Sequence, residues 1–204
     1  MGGGSVKRKI TLLSVLFLCI LTVQAMAAER VPLRVAQFPL LVQSYMTPEQ
    51  DVQDRLETLV DRSLHVPLNG TLNAVYYIPE KECQAALAEA EAGASGKAKL
   101  KDLMRPVAEK LNADLVVLPV LTGYEQYQTS SWHRWGRLIM HSYAAVEIVG
   151  FDKAKDEVFS KGASRHFNDE YSTQGDVSLL AYDVMNEALH KAKLHDRIWI
   201  WRER

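Results

Sequence analysis

A chain of 204 residues that is 48% hydrophobic and 24% charged, with a formal net charge of −1, has material for a packed core. It has no surplus of cations to neutralise a run of phosphates, which excludes general nucleic-acid binding. Two cysteines, Cys19 and Cys83, exclude a disulfide-stapled scaffold and leave stability to apolar packing.

The first residues include Lys7, Arg8 and Lys9, then comes an uncharged apolar run from Ile10 to about Val23, then Ala25-Met26-Ala27. A basic start, a short apolar middle and a small-x-small exit predict a signal peptide, residues 1–27, cleaved after Ala27. The run is too short for a comfortable membrane span. The expected address is therefore exported, periplasmic or extracellular. Cleavage removes Cys19 and three cations and leaves 177 of the 204 residues, read as a single, mildly acidic α/β domain over 28–204.

In chain order, Val31–Leu40 alternates as a first strand. Thr47-Pro48 opens a helix whose Val52, Leu56, Leu59, Val60 and Leu64 recur at helical spacing. Asn69-Gly70 turns the chain into a second strand over Leu72–Ile78. Pro79 opens an alanine-rich helix from Glu80 to about Ala92, in which Cys83 reads as a small buried hydrophobe. Leu100, Leu103, Met104, Val107, Ala108 and Leu111 form the stripe of a further helix, despite Pro106. Asp114–Gly123 is the central strand, too β-branched for a helix.

After a loop at Thr129–Gly136, Arg137–Val149 and Glu157–Tyr171 flank the polar turn Asp152–Asp156 and predict an antiparallel hairpin. If Phe151 faces Val158, His141 falls opposite Asn168 and Tyr143 opposite His166. A helix from about Asp176 to Lys193 follows, and Ile198–Trp201 alternates like a short terminal strand. The resulting order is β-α-β-α-α-β-β-β-α: an α/β fold with a mixed sheet of about five strands and helices packed on it.

The helix ending Leu111-Asn112-Ala113-Asp114 runs into Leu115-Val116-Val117-Leu118-Pro119-Val120-Leu121-Thr122-Gly123-Tyr124. A hairpin turns at Phe151-Asp152-Lys153-Ala154, with Val158-Phe159 after it. This passage, with the βαβα start, resembles the TolB N-terminal and CsgG-like family of bacterial envelope domains over roughly Val31–His195. The chain departs from the family in the hairpin turn, where Lys155-Asp156 stands in place of Thr-Gly, and in having no lipidation cysteine, which weighs against pore formation and outer-membrane anchoring. The resemblance implies an envelope adaptor or assembly domain that binds an unidentified envelope protein and uses no cofactor.

The common catalytic and phosphate-binding motifs are absent. Three weaker groupings remain. Trp132, His133, Arg134 and Trp135 concentrate interface-type side chains in one connection, where they either anchor a partner or fold back on the sheet edge. Trp199 and Trp201 sit in a tail with flanking arginines, suited to docking on its own domain, to a partner or to a membrane interface. His141 and His166 share one face of the hairpin and supply two of the ligands a metal would need, while Asp169 points to the other face. The alternative to a binding module is a metal-dependent or hydrolytic enzyme using His141, His166 and His133.

Overall fold

The computed structural model describes residues 31–94, 98–131 and 136–199. The expected signal peptide, the Trp132–Trp135 loop and Trp201 lie outside these. Leu33–Arg204 constitute one compact unit.

The elements are β1 (Leu33–Gln37), β2 (Leu41–Val42), α1 (Gln50–Leu64), α2 (Asn69–Leu72), β3 (Val75–Tyr77), α3 (Glu80–Gly93), α4 (Leu100–Leu111), β4 (Leu115–Ser131), β5 (Arg137–Asp152), β6 (Glu157–Glu170), α5 (Val177–Ala192) and α6 (Leu194–Trp199). The sheet runs β3-β1-β4-β5-β6, with the two-residue β2 also on β4. The first strands pair in parallel, and the β4, β5 and β6 ladders are antiparallel. This is the mixed α/β sheet expected, with β2 as one strand more.

The unbroken apolar run of β4 follows from burial on both faces. Leu115, Val117 and Leu121 join one core with α1, α5 and α6. Val116, Leu118 and Val120 join a second core with α3 and α4. The α1 stripe is buried as its spacing predicts. That helix starts at Gln50 rather than at Pro48, and the amides of Val52 and Gln53 both donate to the Glu49 carbonyl. Pro106 lies inside α4, beyond the first turn.

The hairpin register is as derived: Phe151 faces Val158, His141 faces Asn168 and Tyr143 faces His166. Three expectations are corrected. The second strand is only Val75–Tyr77, because Asn69–Leu72 forms a helical turn and the Asn69 amide clamps both backbone groups of Val75, each at 2.8 Å. The central strand does not stop near Gly123 but continues to Ser131, so the connection to β5 shrinks to residues 132–136. The tail is not a strand through Ile198 and Trp199. It is helical there, since i,i+4 spacing puts Leu194 and Ile198 on one face and buries both.

Candidate functional site

The register of β4 on β5 shifts between Leu121 and Gly123. A bulge of one residue reverses the facing of everything beyond it. Past the bulge, Tyr124 and Gln126 look toward α5, and Gln126 Oε1 accepts from the Val177 amide at 2.8 Å at the start of that helix. Asp176 caps α5 by accepting from the Ser178 amide at 2.8 Å. One face of the extended β4-β5-β6 ladder is thus covered.

Among the described residues, the opposite face is covered only at its lower end, where Val149 and Phe151 pack beneath the α3 and α4 layer. Above that layer the three strands continue as an arm. Cross-strand partners share a face, so Tyr127 with His141 and Asn168, and Glu125 with Tyr143 and His166, lie on the uncovered side. Tyr127 is 58% and Tyr143 39% exposed.

This surface is ordered by its own contacts. The Tyr127 and His141 rings stack with centroids 4.7 Å apart and planes 13° from parallel. His141 Nε2 lies 2.8 Å from Thr129 Oγ1 in a hydrogen bond. Gly123 is the neighbour over which the Tyr143 ring lies, since a side chain there would overlap that ring. At the arm's end, Arg137 Nη1 pairs with Glu170 Oε1 at 2.7 Å. The outer edge of β6 has no strand partner among the described residues.

His141 and His166 share the open face as their register predicts. No third His, Cys, Asp or Glu joins them as a ligand set among the described residues, and Asp169 faces Met140 on the covered side. The arrangement offers flat aromatic area, phenol and imidazole hydrogen-bonding groups and an amide, which is recognition chemistry.

Trp132, His133, Arg134 and Trp135 lie outside the described residues, between Ser131 and Gly136 at the arm's tip. Trp199 ends α6 two residues after Arg197, whose guanidinium meets Asp152 at the other end of β5. Arg137 and Asp152 bound that strand, roughly 50 Å apart along it at about 3.3 Å per residue. The sequence reading missed Tyr127 and Tyr143 as a surface. The signal was their cross-strand spacing relative to His141, legible only once β4 is known to run to Ser131.

No helix among the described residues is long and apolar enough to cross a membrane. No family model matches the chain, and no curated protein does. Among solved structures it is similar to PelC from Paraburkholderia phytofirmans, solved as a dodecamer (15% identity, 80% of this chain and 88% of that one, TM-score 0.39). It is similar also to the hypothetical protein CT253 of Chlamydia trachomatis (15%, 80% and 96%, TM-score 0.44) and to lipoprotein GNA1162 of Neisseria meningitidis (15%, 76% and 97%, TM-score 0.34). None of these three is named TolB or CsgG, and with TM-scores below 0.5 the reading of this chain rests on its own residues.

Proposed function

We propose that the chain is an exported envelope domain that binds a partner protein and performs no chemistry of its own. Its contact residues are those on the uncovered face of the β4-β5-β6 arm, together with Trp132, His133, Arg134 and Trp135 in the connection between β4 and β5. The observation that carries this is the arm itself: three strands extend past the α3 and α4 layer, with Tyr127 and His141 stacked in place and Tyr143 exposed beside them on the bare side. Rigid aromatic side chains that are already positioned lose little entropy on binding, which suits them as anchors. The basic, apolar, small-residue start of the chain supports the exported address. The resemblance to TolB N-terminal and CsgG-like domains accords with an adaptor. Trp199 and Trp201 in the tail would serve a further contact with a partner or a membrane interface.

The test is site-specific photo-crosslinking in intact cells, with the crosslinker at Tyr143 on the open face and, as control, at Tyr182 on the exposed side of α5. One discrete adduct from Tyr143, lost in a Trp132→Ala/Trp135→Ala variant of unchanged melting temperature, supports the reading. Equal adducts from both positions, or none from Tyr143, would overturn it.

A further inference from the structure

A second surface, away from the arm, carries a different chemistry. Where the last turns of α1 and α5 meet the start of α6, a cavity of about 450 Å³ opens to solvent. Arg62, His190, Lys193 and His195 line it, with Asp196 as the one carboxylate, and the buried side chains of Leu189 and Leu194 also contribute to its wall.

Basic residues near helix C-termini complement the helix dipole, which accounts for some of this cluster. Arg62 is itself the basic residue of the last turn of α1, but its contacts set it apart. The other described arginines are all engaged: Arg34 on the Leu111 and Asn112 carbonyls, and Arg55, Arg105, Arg137, Arg165 and Arg197 in ion pairs. Arg62 alone makes no side-chain hydrogen bond or ion pair among the described residues, in a chain where acids outnumber Lys and Arg by 25 to 24. Lys193 is held beside it in a left-handed conformation (φ 50°), its amide donating to the Leu189 and His190 carbonyls.

We infer that this cavity binds an oxyanion of the phosphate class. The planar guanidinium of Arg62 suits two-point contact with phosphate oxygens, and the Lys193 ammonium adds a compact second charge. This goes beyond the partner-binding reading and does not depend on it. The phosphate could belong to a small soluble ester or to an anionic lipid headgroup, and the experiment separates the two.

Inorganic phosphate is titrated by calorimetry into residues 28–204, which contain the whole compact unit, at constant ionic strength set with chloride. An Arg62→Gln/Lys193→Asn variant is run in parallel, asparagine being tolerant of the left-handed conformation. Saturable one-to-one binding that weakens by about tenfold or more in the variant, at an unchanged melting temperature, supports the site. Binding that does not saturate, or that is equal in the two proteins, overturns it. Co-sedimentation with phosphatidylglycerol vesicles but not phosphatidylcholine vesicles, lost in the variant, assigns the ligand to a lipid headgroup. Phosphate binding without sedimentation assigns it to a soluble phosphate.

Discussion

Arg197 Nη1 donates to Asp152 Oδ2 at 2.7 Å, with only 7% and 2% of the two side chains exposed, and so ties the last described helix to the end of β5. The same guanidinium lies 4.0 Å from the centre of the Phe159 ring and donates through Nε to the Ala192 carbonyl at 3.1 Å. Removing one member of a buried pair strands the other charge. Arg197→Ala is expected to cost about 3 kcal/mol in urea unfolding. The double change Arg197→Met/Asp152→Asn should recover much of that, because neither charge remains and the stem still covers Phe159. A single-variant loss below about 0.5 kcal/mol would mean the pair behaves as a surface ion pair.

Two glycines separate a rigid obstacle from a movable one. A methyl at Gly150 would overlap the Val116 carbonyl oxygen and the buried Phe159 ring, neither of which has room to yield. At Gly123 it would meet the ring of the partly exposed Tyr143. Gly150→Ala should lower stability by about 2 kcal/mol or more, and Gly123→Ala by less than about 1 kcal/mol. Comparable melting temperatures for the two variants would contradict this ordering.

Cys83 is 0% exposed. Burial, helped by the negative charges of Glu82 and Glu80, pushes its thiol from 9.0 up to about 11. The thiolate is the reactive form, so residues 28–204 should show almost no thiol titration at pH 8 until denaturant is added, and then one equivalent. The folded state holds the proton more tightly than the unfolded chain. This contribution to stability is therefore full below about pH 9 and is lost as pH rises through about 11. Rapid labelling of the native protein, or a disulfide-linked dimer on non-reducing gels, would count against a buried thiol.

His141 already has a stacked neighbour and a hydroxyl partner, and two histidines alone make a poor first-row metal site. Elemental analysis of protein purified without chelator should find well under one metal per chain. A near-stoichiometric metal that disappears in His141→Ala would favour the enzyme reading over the binding one.

Much of this fold could be derived from local pattern. The α1 stripe, the doubly buried run of Leu115–Leu121 and the register that sets His141 against Asn168 each follow from a period of 3.6 or 2, which short-range geometry imposes. The same rules failed at Asn69–Leu72, where one asparagine amide clamps Val75, and at Ile198-Trp199, where alternation suggested a strand. Burial of Leu194, Arg197 and Ile198 decided in favour of a helix there, and propensity gives way to such packing because burial is worth more per residue. The bare arm is likewise a tertiary result. It depends on a bulge after Leu121 that turns Tyr127 to the open side, and on an α3 and α4 layer that stops short of it. Composition and charge by themselves supply the material for a packed core and predict no general nucleic-acid face. Which side chains meet on a surface was decided only when strands distant in sequence were brought into register, because that pairing sums contacts no local window contains.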